Sequence, residues 1–143
     1  PVEDLPGFNI IDDSYNANPA SLKAAIDVLA EAGSKTCLVL GGMGELGDTS
    51  AQLHEQVGAY AAKKGILQVY SLGPNAGFYQ RGYVQHQPQQ GRFVVCDSHQ
   101  QIADNLKQHE KDKTILVKGS RSTAMEKVIH ALRGRDHLRE ETH

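Results

Sequence analysis

Short apolar runs alternate along this chain with longer segments whose apolar residues recur at helical spacing. The runs that we interpret as strands are Phe8–Asp12, Thr36–Leu40, Leu67–Leu72, Phe93–Cys96 and Thr114–Val117. Strands that alternate with helices in this way form right-handed crossovers, which place helices on both faces of a parallel sheet. We therefore predict an α/β fold, a three-layer α/β/α sandwich with a mostly parallel sheet of about five to six strands.

Four segments carry helical patterns, and the first has the clearest boundaries. Asn18 and Pro19 supply an N-cap and a first helical residue, and Gly33 ends the helix. The other predicted helices begin near Thr49, Ser98 and Met125. The segment Pro74–Arg92 is rich in Gln and Gly and poor in apolar residues. We predict an irregular surface connection there, with room for a single helical turn and no catalytic role.

Size and charge exclude several classes of protein. The chain has 143 residues, with 15 Lys and Arg, 17 Asp and Glu, and a net charge of -2. This size favours one domain with a sizeable core, and the charge balance argues against a broad nucleic-acid surface. No apolar run approaches the roughly 20 residues of a membrane-spanning helix. We expect a single-domain cytoplasmic protein with neither a nucleic-acid nor a membrane partner.

The histidines and cysteines do not predict a metal site or a disulfide framework. The seven histidines show no ligand spacing on one helix face, so we expect them at the surface. His54 is a possible exception, because it follows a glycine-rich loop by about two helical turns. Cys37 and Cys96 lie inside predicted strands, where small core residues are expected.

The loop after the first strand, Asp12 to Pro19, is rich in polar side chains. Successive side chains of a strand point to opposite faces, so the two adjacent carboxylates must diverge. One can face the crevice at the strand ends while the other anchors the loop. Asn16, Asn18 and Tyr15 add further polar groups. The alternative interpretation is an Asx-rich turn that ends in a helix cap.

The loop after the second strand, Gly41 to Gly47, matches G-x-G-x-x-G but fails as a dinucleotide site. The helix begins beyond the third glycine, and the next strand ends in Ser71-Leu72-Gly73 without the acidic residue that holds a ribose. The loop still offers backbone N–H groups and one carboxylate, Glu45, near the crevice.

The loop after the fifth strand, Lys118 to Ser122, combines a Lys, an Arg, two hydroxyls and a helix start. These groups suit a carboxylate or a phosphate. The alternative interpretation is a helix cap with solvated charges.

Three stretches that include these loops together resemble a known family. They are IDDSYNANPASLKAAIDVLA, LGGMGELGDTSAQLHEQVG and ILVKGSRSTAMEKVI. From about Asn9 to Leu132 the chain resembles the C-terminal domain of the Mur ligases, particularly those that add D-alanyl-D-alanine to UDP-N-acetylmuramoyl-tripeptide. One position departs from the pattern, because the family usually has Asp where this chain has Gly42.

The resemblance implies a Rossmann-like domain that acts beside a UDP-sugar domain and a central P-loop ATPase domain. It implies peptidoglycan precursor synthesis, in which ATP phosphorylates a peptide carboxylate and the dipeptide amine attacks the acyl phosphate. ATP and Mg²⁺ would be bound mainly by the central domain. This sequence contains no G-x-x-x-x-G-K-[ST] motif. We therefore expect residues 1–143 to be an excised C-terminal domain that is inactive alone, with residues 136–143 as a flexible tail.

The resemblance also implies roles for individual residues. Those expected to face ATP are Asp13, Tyr15, Asn16 and Asn18. Those expected to face the substrates are Lys118, Ser120, Arg121 and Glu45. No catalytic residue and no metal ligand is expected within this domain alone. A second interpretation of the residues stays open, a non-catalytic α/β module that binds a nucleotide or another anion.

Overall fold

The computed structural model describes residues 2–5 (backbone only), 7–14, 16–44 and 46–134. The strands are β1 (Val2–Leu5), β2 (Phe8–Asp13), β3 (Thr36–Leu40), β4 (Gln68–Leu72), β5 (Arg92–Cys96) and β6 (Thr114–Lys118). The helices are α1 (Pro19–Glu31), α2 (Ser50–Lys63), α3 (Ala76–Gln85), α4 (His99–His109) and α5 (Glu126–Arg133). Tyr15, Glu45 and the predicted tail over 136–143 lie outside the described residues.

The strands form one six-stranded sheet in the order β1-β2-β6-β3-β4-β5. The five strands from β2 to β5 in that order are parallel, and β1 pairs antiparallel with β2. This confirms the predicted α/β fold with a mostly parallel sheet. The strand β1 had no counterpart among the predicted strands, and it extends the sheet at one edge.

The sheet separates two apolar cores. Alternate residues of β3 point to opposite faces, Cys37 and Val39 into one core and Leu38 and Leu40 into the other. The helices α1, α2 and α3 contribute to the core with Leu38, whereas α4 and α5 contribute to the core with Cys37. The three-layer prediction is therefore confirmed, and the continuous apolar run of β3 reflects burial on both faces.

The helix α1 begins and ends as its sequence predicts. The Asn18 side chain accepts a hydrogen bond from the Ser21 N–H, and the Ser21 hydroxyl accepts one from the Asn18 N–H. This reciprocal capping box satisfies two donors at the helix start. Gly33 follows the helix with a positive φ of 101°, a conformation that favours glycine.

The segment Pro74–Arg92 differs from the prediction, because it contains the ten-residue helix α3. Tyr79 and Tyr83 of this helix are fully buried. Their hydroxyls donate hydrogen bonds to the backbone carbonyls of Gly41 and Ile66. The predicted irregular connection is therefore wrong. Tyrosine rings supply the apolar surface of this helix, and a count of aliphatic residues overlooks them.

No helix among the described residues is long and apolar enough to span a membrane.

Candidate functional site

Three neighbouring parallel strands bring the three polar loops together. Asp13 of β2 stands opposite Lys118 of β6, which in turn stands opposite Leu40 of β3. The carboxyl ends of these strands therefore meet at one edge of the sheet, where α/β folds bind ligands. We name the segments there the aspartate loop (residues 12–18), the glycine loop (residues 41–44) and the lysine loop (residues 118–124).

The two carboxylates of the aspartate loop diverge, as the strand geometry predicts. Asp12 Oδ1 accepts hydrogen bonds from the backbone N–H and the hydroxyl of Ser14, which anchors the turn. Asp13 Oδ2 lies 2.7 Å from the Nζ atom of Lys118. Half of the Asp13 side chain is exposed, so this carboxylate is accessible from solvent while it is paired.

Lys118 ties the three loops to one another. Its side chain is almost fully buried, and its ammonium group donates to Asp13 and, at 2.9 Å, to the backbone carbonyl of Asn16. Its own carbonyl accepts a hydrogen bond from the Gly41 N–H at 2.8 Å. A buried ammonium needs such partners, because its desolvation is costly. The ammonium of this predicted substrate residue therefore points toward the aspartate loop.

The two asparagines of the aspartate loop lie at the same edge and are exposed. Asn18 is engaged as the N-cap of α1. Asn16 accepts a hydrogen bond on Oδ1 from the Ala17 N–H at 2.9 Å. Asn18 thus provides the helix cap that the alternative interpretation of this loop expected.

The lysine loop places a buried serine beside an exposed arginine. Ser120 precedes a short 3-10 helix, Arg121–Thr123, but its hydroxyl makes no capping hydrogen bond. The hydroxyl lies 2.8 Å from the hydroxyl of Ser122 instead. The Ser120 N–H donates to the Gly42 carbonyl at 2.9 Å, which joins this loop to the glycine loop.

A histidine at the start of α4 also holds the lysine loop in place. His99 Nε2 lies 2.7 Å from the backbone carbonyl oxygen of Thr123. The Thr123 hydroxyl donates to the Ser120 carbonyl at 2.8 Å. Ala124 then adopts a left-handed conformation with φ of 48°, just before α5 begins.

Glycines permit the close approach of the glycine loop to the lysine loop. A Cβ atom on Gly119 would lie 2.9 Å from the Cα atom of Gly41, too close for a real side chain. A Cβ atom on Gly42 would lie 3.1 Å from Asn75 Nδ2 and 3.5 Å from His54 Nε2. An acidic side chain at this position would need Asn75 to move slightly.

His54 corrects the expectation that all the histidines lie at the surface. It is fully buried beneath the glycine loop. Its Nε2 atom accepts a hydrogen bond from the Met43 N–H at 2.9 Å, and its Nδ1 atom lies 2.6 Å from the Ser50 carbonyl oxygen. Burial lowers the pKa of His54 below its usual 6.5, while the hydrogen bond to Ser50 acts in the opposite direction. The sequence signal was its position one turn before Val57 on the buried face of α2.

The described residues hold no group of three His, Cys, Asp or Glu side chains placed to bind a metal ion. Magnesium requires near-octahedral oxygen coordination, usually completed by phosphates and water. The described part of the chain therefore does not fit as a Mg²⁺ site by itself.

The fold and this edge define a Rossmann-like α/β domain whose polar loops meet beyond the carboxyl ends of its strands. The chain belongs to the Mur ligase family, because the family model described as "Mur ligase, glutamate ligase domain" matches residues 2–121.

Known relatives agree with this assignment. The chain is 40% identical over 92% of its length to the UDP-N-acetylmuramoyl-tripeptide--D-alanyl-D-alanine ligase of Escherichia coli, and covers 28% of that protein. A crystal structure of MurF from Acinetobacter baumannii matches 92% of this chain and 29% of its own with a TM-score of 0.79 and 30% identity. MurF ligase from Thermotoga maritima, solved in complex with ADP, shares the fold over 98% of this chain and 31% of its own, with a TM-score of 0.76 and 24% identity. The chain thus spans less than a third of these relatives.

Proposed function

We propose that this chain is the C-terminal substrate-binding domain of an ATP-dependent ligase that joins D-alanyl-D-alanine to UDP-N-acetylmuramoyl-tripeptide. The observation that supports it most is the 40% identity to the Escherichia coli ligase of that name over 92% of the chain. We place the reaction in the cytoplasm, because it consumes ATP. A UDP-sugar domain and a central ATPase domain of the same protein are the proposed partners, and Mg²⁺ is proposed to be bound there.

In the proposed reaction, the tripeptide carboxylate attacks the γ-phosphoryl group of ATP and ADP leaves. The amine of D-alanyl-D-alanine then attacks the acyl phosphate, the peptide bond forms and phosphate leaves. No described residue needs to act as a nucleophile. The contribution of this domain is to bind the dipeptide and to place its amine beside the acyl carbon when the domains close.

The aspartate loop is the proposed ATP side of the edge. Lys118 holds one oxygen of the Asp13 carboxylate, and half of that side chain is exposed. A carboxylate can accept about four hydrogen bonds, so Asp13 has capacity left for the hydroxyls of a ribose. Asn16 and Asn18 supply amide groups beside it, and we propose that Tyr15, in the same loop, also faces ATP.

The lysine loop is the proposed dipeptide side. Arg121 is exposed next to the buried Ser120. A guanidinium group recognises a carboxylate with two parallel hydrogen bonds, which suits the C-terminus of D-alanyl-D-alanine. We propose that Glu45 also faces the substrates on this side. Lys118 links the two sides, because its ammonium binds the aspartate loop and its backbone binds the glycine loop.

The function is tested with the complete protein that carries this chain. We expect ADP and phosphate to be released only when ATP, UDP-N-acetylmuramoyl-tripeptide and D-alanyl-D-alanine are all present, with the pentapeptide product identified by mass spectrometry. If no product forms and the chain alone binds a nucleotide tightly in calorimetry, the binding-module interpretation replaces this proposal.

In that ligase, Asp13→Asn is expected to raise the KM for ATP by about tenfold or more, since a hydrogen bond to a charged group is lost. The change keeps an oxygen that can accept from Lys118, so the loop stays tethered. Asp104→Asn, on the exposed surface of α4, is the matched control and should leave the KM unchanged. Steady-state kinetics with varied ATP measure both. Equal KM values for the two variants would remove Asp13 from the ATP site.

Arg121→Ala is expected to raise the KM for D-alanyl-D-alanine by about tenfold to a hundredfold, the usual effect of losing a charge-assisted pair. The KM for ATP should change less than twofold. Arg81→Ala on α3 is the control, because that arginine is exposed and lies on another surface. If the KM for ATP moves and that for the dipeptide does not, the assignment of the lysine loop is wrong.

A further inference from the structure

Two buried side chains hold the backbone of the glycine loop from inside the domain. His54 Nε2 accepts a hydrogen bond from the Met43 N–H at 2.9 Å. The Tyr79 hydroxyl donates to the Gly41 carbonyl, also at 2.9 Å. Both side chains are fully buried, and their rings meet edge to face with centroids 4.8 Å apart. The helices α2 and α3 therefore fix the loop through two matched polar contacts.

The contacts of the His54 ring assign its tautomer. Nδ1 lies 2.6 Å from the Ser50 carbonyl oxygen, which can only accept, so Nδ1 carries the hydrogen. Nε2 then has the free electron pair that the Met43 N–H requires. If Nε2 were protonated as well, it and the Met43 N–H would both be donors. The hydrogen bond would then be lost and the loop released.

The loop that His54 and Tyr79 hold is bonded in turn to the lysine loop. The Gly41 N–H donates to the Lys118 carbonyl at 2.8 Å, and the Ser120 N–H donates to the Gly42 carbonyl at 2.9 Å. A displacement of Gly42 would therefore shift Ser120, and one of Gly41 would shift the backbone of Lys118, whose ammonium is held separately by Asp13 and Asn16. A chain of hydrogen bonds runs from the interior of α2 and α3 to the dipeptide side of the edge.

We propose that His54 and Tyr79 are positioning residues for the dipeptide site, acting through the backbone of the glycine loop. Neither needs to touch a substrate. The dipeptide part of this inference rests on the proposed function, whereas the hold on the loop depends only on the contacts within this chain.

The hold on the loop is tested by hydrogen exchange of the Met43 amide in this chain. In His54→Leu, which fills a similar volume without an acceptor, we expect exchange about tenfold faster than in the unmodified chain. In His54→Gln, whose Oε1 can accept in place of Nε2, we expect most of the protection to return. His109→Gln, at an exposed position of α4, is the control for the loss of a histidine.

Tyr79→Phe keeps the ring and removes only the hydroxyl, so it tests the second contact even if His54→Leu fails to fold. We expect faster exchange of loop amides in this variant as well. Unchanged exchange of the loop amides in Tyr79→Phe, together with unchanged exchange of the Met43 amide in a folded His54→Leu chain, would overturn the hold on the loop.

The positioning role is tested in the complete ligase. We expect His54→Leu and Tyr79→Phe to raise the KM for D-alanyl-D-alanine about tenfold while the KM for ATP changes less than twofold. A purely structural role would reduce the amount of folded enzyme without raising the KM for the dipeptide relative to the KM for ATP. If loop exchange accelerates but the dipeptide KM stays constant, the positioning role is overturned. If the unmodified enzyme forms no product, the proposed function fails, and the exchange result still decides the hold on the loop.

The pH profile gives an independent readout. Burial keeps the pKa of His54 below 6.5, so below that pH the dipeptide KM should show an acidic limb beyond the rise caused by titration of the dipeptide amine. The His54→Gln enzyme should lack this acidic limb. Among the described residues, the titratable ring in contact with His54 is that of Tyr79, whose pKa is raised by burial, so it remains a donor throughout. The same acidic limb in His54→Gln would assign the effect to another group and overturn the role of Nε2.

Discussion

Gly82→Ala is expected to lower the free energy of unfolding of this chain by about 3 kcal/mol, a large effect for one methyl group. A Cβ atom on Gly82 would lie 2.9 Å from the backbone nitrogen of Ala59 and still closer to the carbonyl oxygen of Glu55. Both atoms belong to the backbone of α2, so no rotamer change relieves the clash. The helices α2 and α3 must move apart, which opens the packing around the buried Tyr79.

Gly77→Ala is the matched control in the same helix. A Cβ atom at Gly77 meets nothing within 4 Å, and Gly77 is exposed. Alanine is the better helix former, so this variant should be unchanged or more stable by about 0.5–1 kcal/mol. Urea unfolding followed by circular dichroism measures both variants. A loss below about 0.5 kcal/mol for Gly82→Ala would mean that the two helices do not approach as closely as described.

The helix that Gly82 allows is the element that sequence patterns missed. Its stretch contains Gly77 and Gly82, both poor helix formers, and it buries tyrosines in place of aliphatic residues. Each of these features lowers a helix prediction based on local pattern. Each has a tertiary cause, because Gly82 admits the backbone of α2 and the Tyr79 hydroxyl reaches the Gly41 carbonyl. Such partners, distant in the sequence, are invisible to local propensity.

The five parallel strands, unlike α3, were predictable because their structure is reflected in a local apolar pattern. The run Thr36–Leu40 is apolar at every position, and a strand buried on both faces requires this. The meeting of the three loops also followed, because parallel strands end at a common edge. The pairing of Asp13 with Lys118 did not, since it depends on the register of β2 against β6, which the sequence does not state.

The same limit applies to His54. Leu53, Val57 and Ala61 recur every four residues and suggest the inner face of α2, but the structure buries His54 and leaves Leu53 only partly buried. The difference is a small rotation of the helix. The apolar pattern agrees with either rotation of the helix, but only one of them brings His54 to Met43.

Lys118→Met is expected to lower kcat/KM for ATP of the complete ligase by about a hundredfold, on the scale of a misplaced positioning group. Methionine fills the buried space of Lys118 but donates no hydrogen bonds. The aspartate loop then loses its contacts to the Lys118 ammonium at the Asp13 carboxylate and the Asn16 carbonyl. Asp13 is thereby no longer held where the proposed ribose contact needs it.

A count of lost hydrogen bonds would predict that Lys118→Met destabilises the fold more than Asp13→Ala does. We expect the opposite order. Lys118→Met leaves Asp13 half-exposed and able to bind water, so we expect a loss of less than about 1 kcal/mol. Asp13→Ala leaves a buried ammonium with the Asn16 carbonyl, and we expect a loss of about 2 kcal/mol, reduced from the value for a fully buried pair because Asp13 is partly solvated.

Unfolding in urea and steady-state kinetics on the same pair of variants separate the tether from a direct substrate contact. If Lys118 acts by holding the aspartate loop, both variants impair the use of ATP, although only Asp13→Ala is strongly destabilised. If Lys118→Met raises only the KM for the dipeptide, its ammonium must leave Asp13 and meet the dipeptide carboxylate when the domains close. Lys127→Met on α5 is the matched control, because that lysine is exposed and should change neither quantity.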